Sequence, residues 1–199
     1  MAVNRVPVLK RCRSLGLDPI YLGIDKKSKR GQAAGRRPAK KSEYGLQLTE
    51  KQKAKFIYGV LEKPFHNYYL KAKQMKGQTG ENLMVLLESR LDNVVFRAGF
   101  ARTRREARQI VDHKQLLVNG KGINIPSYLI KAGDVIEIKE KCKENGRFKA
   151  VIETTAGRVV PAWLDADLEN LKVTVNALPK RDEIDVPVNE MLIVELYSK

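Results

Sequence analysis

The chain has 199 residues, 43% of them hydrophobic, enough for one large domain or two small ones with real cores. Lys and Arg number 38 against 23 acids, and the resulting net charge of +15 points to a polyanion, either nucleic acid or an anionic membrane surface. The apolar runs are short and no charged segment followed by an apolar one opens the chain, so neither a membrane span nor a secretory signal is expected, and the expected compartment is the cytoplasm.

The charge is unevenly spread. Residues 1–50 carry 12 basic and 4 acidic groups, 51–100 carry 9 and 4, 101–150 carry 12 and 6, and 151–199 carry 5 and 9. The first three quarters suit a polyanion. The acidic end repels phosphate and is expected to pack on the protein itself or to face a basic protein partner.

Residues 1–45, with VNRVPVLKRCRSLG and DKKSKRGQAAGRRPAKKSEYG, have little apolar periodicity and read as a basic extended N-terminal arm, ordered along a nucleic-acid backbone or solvated as a tail. Within it GRRPAKKS, 35–42, approaches a phosphate-binding loop. Lys40 stands where the second glycine belongs, Pro38 removes an N–H and no apolar strand precedes the stretch, so it is rejected as a nucleotide site.

A helical subdomain is expected over 46–90. In LTEKQKAKFIYGVLEK, Thr49 and Gln52 have capping-box spacing, Phe56, Ile57, Val60 and Leu61 form a stripe, and Pro64 is expected to end the helix. A second helix carries Phe65, Tyr68, Tyr69, Ala72 and Met75 and stops at Gly77; a third begins near Thr79 and presents Leu83, Leu86 and Leu87. Aromatic residues at this spacing read as core rather than as platforms for bases.

Residues 91–176 read as an α/β module with its core at 91–140. Asp92 is expected to cap a short helix bearing Val94 and Val95 before Gly99. In FARTRREARQIVDHK, Thr103 and Glu106 form a capping box, so a helix starts at Arg104 and buries Ala107, Ile110 and Val111. Arg102, Arg104, Arg105 and Arg108 crowd its N-terminal end, where the helix dipole disfavours cations by roughly 0.3–1 kcal/mol each. A phosphate there turns repulsion into attraction, through backbone N–H groups and guanidinium forks. The alternative is a solvated face paired with Glu106. Arg104 and Arg108 share a face and lead the set, with His113 and Lys114 near the far end and Lys121 on the following hairpin.

The period then alternates. Asn119-Gly120 between two apolar runs signals a hairpin, Gly133-Asp134 a turn, and Val135, Ile136 and Ile138 a strand; PAWL and LKVTV supply further strands. Residues 177–185 read as a linker, and NEMLIVELYSK within 186–199 as the completion of the helical subdomain. The expected fold is α+β: a helical subdomain with an inserted module of two short helices and a small antiparallel sheet.

No catalytic constellation emerges. His66 and His113 are the only histidines, G-x-S-x-G and H-E-x-x-H are missing, Asp165 and Asp167 fit a solvated surface, and Cys12 and Cys142 read as independent free thiols. An enzyme, a cofactor and a metal are not expected.

The order ESRLDNVVFRAGFARTRREARQIVDHKQLLVNGKGINIPSY followed by GDVIEI resembles the RNA-binding module first recognised in the fourth protein of the small ribosomal subunit. Such modules also occur in pseudouridine synthases, a class of tyrosyl-tRNA synthetase and heat-shock RNA-binding proteins. The flanks SEYGLQLTEKQKAKFIYGVLEKPFHNYYLKAK, GENLMVLLESRLDN and NEMLIVELYSK extend the resemblance to the bacterial-type ribosomal family over nearly the whole chain.

That resemblance implies a structural component of the small (30S) subunit that binds the five-way junction in the 5′ domain of 16S rRNA and acts early in assembly of the subunit body. It further implies contact with ribosomal protein five where messenger RNA enters, with effects on decoding accuracy, indirect cooperation with ribosomal protein twelve and, in some relatives, repression through the protein's own operon messenger. By position, Arg102, Arg104, Arg105, Arg108, His113 and Lys114 match the module's RNA-facing helix, and Arg36, Arg37, Lys40, Lys41 and Tyr44 match its basic N-terminal approach. Some relatives carry four metal-binding cysteines at the start; this chain keeps only Cys12 in VLKRCRSLG, so a zinc site is expected to be absent. The rivals are an RNA-modifying enzyme, which turns over rRNA, and a stand-alone messenger regulator, which does not sediment with subunits.

Overall fold

The structure is a computed structural model describing residues 6–26, 42–143 and 146–198. The expected arm is folded in part. Val8–Leu15 forms helix α1, a single 3-10 turn follows at Pro19–Leu22, and Cys12, Leu15 and Leu17 are buried. An eight-residue helix has little stability alone. Val8, Cys12 and Leu15 nevertheless fall at i, i+4 and i+7, a narrow apolar stripe hidden among lysines and arginines that packs once a second helix is available. That helix is α2, Glu43–Tyr58, where Gln52 accepts a hydrogen bond from Arg11 at 3.0 Å.

Both ends of α2 differ from the expected ones. Ser42, not Thr49, caps it, its hydroxyl accepting the Gly45 N–H at 3.2 Å, while Thr49 lies mid-helix and donates to the Gly45 carbonyl. Gly59 ends it at φ +64°, and the Val60 N–H closes the turn on the Lys55 carbonyl at 3.0 Å. Pro64 belongs instead to the first turn of α3, Glu62–Gln74, where a helix has no use for the missing N–H. Phe65, Tyr68, Tyr69 and Ala72 of α3 are buried as expected; Met75, just past its end, and Leu61, at its N-cap, are exposed.

With α1, α2 and α3, one compact unit comprises the described residues up to Leu83 and those from Val186 onward. It ends in α9, Glu190–Ser198, which packs along α2. Gln47 donates to Glu195 at 3.1 Å, and Glu50 accepts the Asn189 N–H at 3.1 Å. Gly80 leaves room for Glu190: a Cβ there would stand 2.7 Å from the Glu190 Cγ.

The second unit is Met84–Asp185. It takes over partway along α4, Thr79–Glu88, and continues through α5, Leu91–Arg97, and α6, Arg104–Asp112. Asp92 does not cap α5; it lies inside the first turn, in a buried ion pair with Arg90 at 2.6 Å. The cap is tertiary, the N–H groups of Leu91 and Asp92 donating to the carbonyls of Tyr128 and Pro126.

Five short strands follow the order β2-β1-β3-β5-β4, all pairs antiparallel: β1 Leu116–Val118, β2 Lys121–Gly122, β3 Val135–Ile138, β4 Leu164–Asp167 and β5 Lys172–Val175. Period-2 geometry turns Leu116, Val118, Ile136, Ile138, Val173 and Val175 inward against Leu91, Val94, Val95, Ala107, Ile110 and Val111 of α5 and α6. The expected hairpin is present: Asn119 and Gly120 both have positive φ, +50° and +76°, as a tight two-residue turn requires. The Asn119 side chain ties it to the Gly133-Asp134 turn, accepting the Val135 N–H and donating to Asp134, each at 2.9 Å. Two helices between β3 and β4 were not foreseen, α7 at Glu140–Lys143 and α8 at Gly146–Thr155; α8 adds Phe148 to the core. The stretch read as a linker contains a 3-10 turn, Arg181–Glu183, and buries Ile184. The fold class is α+β.

Glu62 secures α9 to its unit. Its carboxylate accepts from Lys51 at 2.8 Å, Lys55 at 2.7 Å and the Tyr197 hydroxyl at 2.8 Å, and the Tyr197 ring lies 4.7 Å from that of Tyr69. Burial alone would raise the Glu62 carboxyl, but those three donors outweigh it and hold it at about 2. A carboxyl depressed on folding stabilises above its unfolded value and loses that contribution as pH falls through its folded value. Wild-type melting temperature should therefore fall between roughly pH 4.5 and 2 more steeply than that of Glu62→Gln, followed by circular dichroism; parallel profiles would show that Glu62 carries no acid sensitivity.

Candidate nucleic-acid interface

The connection from α5 to α6 is held from behind by α8 and the turn after it. Thr155 donates to the Gly99 carbonyl at 2.7 Å, and the Arg158 guanidinium donates to the carbonyls of Phe96 at 2.9 Å, Ala101 at 3.0 Å and Arg102 at 2.9 Å. A cation is well matched to carbonyl groups at a helix C-terminus. These bonds fix where α6 begins. At that start the Thr103 hydroxyl accepts the Glu106 N–H at 3.2 Å, the expected cap. The return arm of the box is displaced by one residue: the Glu106 carboxylate takes the N–H of Arg102, at 2.9 Å, rather than that of Thr103.

The four arginines divide into three roles. Arg104 is 8% exposed; its Nε donates to Asn93 at 2.7 Å and its guanidinium lies 4.3 Å from the centre of the Phe96 ring, which also takes Arg158 at 4.4 Å. Arg104 thus lies beneath the helix, whereas it was expected to share an exposed face with Arg108. On a helix, residue 104 shares its face with 107 and 111, both apolar and buried, so packing draws its stem inward. Arg102 is exposed and pairs with Glu106 through Nε at 3.3 Å and Nη2 at 3.2 Å. Arg105 is exposed and Arg108 half-buried, and with Gln109 they mark the outward side of α6.

Burial alone would push the Glu106 carboxyl up, but the Arg102 side chain and backbone N–H, joined by Arg147, outweigh it and hold the group below the usual carboxylate range. The same contact raises Arg102. Glu106 is therefore ionised at neutral pH.

His113 and Lys114 are exposed at the far end of α6, where Lys114 takes a left-handed φ of +55° and its N–H bonds the Val111 carbonyl at 2.9 Å. Lys121 is exposed at the start of β2. Tyr44 is exposed in the first turn of α2, in the other unit. Arg36, Arg37, Lys40 and Lys41 lie outside the described residues.

Sequence reading missed Arg147 and Arg158. Arg147, from α8, reaches Glu106 at 3.2 Å and Gln109 at 3.5 Å, so it joins the outward side of α6 from 38 or more residues away. Neither lies in a local pattern that marks it. Cys12 and Cys142 are both free, and among the described residues no group of three or more His, Cys, Asp or Glu is placed to hold a metal ion. No helix among the described residues is long and apolar enough to cross a membrane.

An outward cationic helix side, with a lysine-bearing hairpin following it in the chain, can neutralise phosphates through guanidinium forks and ammonium groups. Arg104→Ala should cost about 2–4 kcal/mol of stability, from a charge-assisted hydrogen bond and a desolvated ring contact. Arg105→Ala should stay within about 0.5 kcal/mol of wild type. Urea denaturation of both checks this, and equal midpoints would contradict the burial of Arg104.

The N-terminal part, residues 4–88, matches the family model of the ribosomal protein S4/S9 N-terminal domain, and residues 89–136 match that of the S4 domain. Proteins named small ribosomal subunit protein uS4 from Lachnospira eligens and Agathobacter rectalis are 72% and 71% identical to the chain, and one from a Nocardioides species is 54% identical; in each case the whole of both chains is covered. Such identity along the full length, with both family models in tandem, means that the chain belongs to the family of small ribosomal subunit protein uS4.

Proposed function

We propose that the chain is a structural component of the small ribosomal subunit, working in the cytoplasm by binding rather than by turnover, and that it grips 16S rRNA with the outward side of α6. The observation that carries this is the exposed cationic set Arg102, Arg105, His113, Lys114 and Lys121, with half-buried Arg108, on a module of the S4 family. Arg36, Arg37, Lys40, Lys41 and Tyr44 add a second basic approach in this reading.

Recognition is by shape. An A-form major groove is too narrow for side chains, so a folded junction is held through phosphates and 2′-hydroxyls, with few base edges read. On this reading the protein binds early at a multi-helix junction and nucleates assembly of the subunit body. It touches ribosomal protein five, cooperates indirectly with ribosomal protein twelve and so influences decoding accuracy.

Affinity for a transcript of the 5′ domain of 16S rRNA should fall steeply with salt. Replacing Arg105 and Arg108 together by alanine should lower the slope of log affinity against log salt by about 1.5, given roughly 0.7–0.9 per phosphate neutralised. Filter binding over a salt series measures it, and an unaltered slope would remove α6 from the contact surface. In a sucrose gradient the native protein should travel with small subunits and their precursors; confinement to the light fractions would refute the ribosomal reading.

A further inference from the structure

Glu106 is an acid set in the part of the surface that should meet phosphate. Its side chain is 11% exposed, whereas those of Arg102 and Arg147 are 56% and 34% exposed. One carboxylate oxygen accepts the Arg102 N–H at 2.9 Å and its Nε at 3.3 Å; the other accepts the Nη2 of Arg102 and of Arg147, each at 3.2 Å. Two guanidinium groups, one from four residues before Glu106 and one from 41 residues after it, thus converge on a single planar anion. A guanidinium fork fits carboxylate and phosphate alike, so the arrangement that holds Glu106 is one that also suits a phosphate.

We propose that Glu106 is a resident competitor for the RNA backbone: it occupies Arg102 and Arg147 in the free protein, and RNA must displace it to engage them. The proposal deepens the RNA-binding reading above and rests on it. Partly exposed ion pairs are weak enough in water to be exchanged. An RNA offering one loose phosphate gains little by the exchange, because one anion merely replaces another. A folded RNA that also engages Arg105, Arg108 and the hairpin gains those contacts in addition. Glu106 thereby imposes the same displacement cost on every RNA that uses Arg102 and Arg147, and an RNA without the further contacts is left too weakly held to stay bound.

The test is a cycle with Glu106→Gln, which keeps the side-chain length and an acceptor that a helix start tolerates. Filter binding at fixed salt compares poly(U) with a transcript of the 16S 5′ domain. Glu106→Gln should raise the affinity for poly(U) and for the transcript by a similar factor, roughly three- to tenfold, and leave the urea midpoint close to wild type. In an Arg102→Ala, Arg147→Ala background the gain should vanish, since there is nothing left to release. An equal gain in that background would reduce Glu106 to ordinary long-range repulsion and overturn the proposal, as would weaker poly(U) binding by Glu106→Gln. Wild-type protein that bound the transcript no better than poly(U) would overturn the RNA reading itself, a separate result.

Discussion

Glu88 closes α4 with a carboxylate that is almost wholly buried, and the second unit is organised around neutralising it. Arg97 meets it with two hydrogen bonds, at 2.9 and 3.1 Å, and the Asn93 amide donates to it as well. Asn93 then presents its oxygen to Arg104, which lies over Phe96 beside Arg158. Charge in a low-dielectric interior is tolerable only when fully partnered, and removing one member leaves the rest exposed to that cost. The chain Arg97, Glu88, Asn93, Arg104 therefore demands that α4, α5 and α6 keep one mutual arrangement. Arg158 extends the demand to the turn after α8.

This network also decides what α6 shows to its surroundings. By taking Arg104 inside it gives the helix a cationic anchor as well as an apolar face, and Arg105, Arg108 and Gln109 are rotated outward. The N-terminal crowding of positive charge is thus relieved in two ways, by an amide and a ring beneath the helix and by Glu106 at its edge. A helix start with four arginines is stable in isolation from any ligand because only part of that charge stays on the surface.

Much of the fold was legible in residue patterns. Asn119-Gly120, Gly133-Asp134 and the alternation from Leu116 to Ile138 have local physical meanings that no tertiary contact overrides. The Thr103 cap and the Ala107, Ile110, Val111 stripe were equally plain. Errors arose where several residues offered similar local signals. Thr49 has the spacing of a cap, but Ser42 starts the helix earlier, and in the added turns it is Gln47, not an apolar residue, that is buried, bonded to Glu195 of α9 far along the chain. Pro64 stops a helix only in its interior, and Gly59 had already ended α2. The lysines and arginines around Val8, Cys12 and Leu15 masked a stripe that matters once α2 is there to receive it.

The candidate site divides along the same line. Sequence by itself determined that α6 exists, where it starts, which side is apolar and that an excess of positive charge gathers at one end, because helical period and capping act within a few residues. Only the tertiary structure decided that Arg104 serves the interior, that Arg102 is paired, and that Arg147 and Arg158 belong to the same neighbourhood. Those outcomes depend on Asn93, Phe96 and α8, whose distance along the chain from α6 says nothing of their distance in space. A long, flexible guanidinium can satisfy either a buried acceptor or a phosphate, and the choice is made by whatever the fold brings within hydrogen-bond reach.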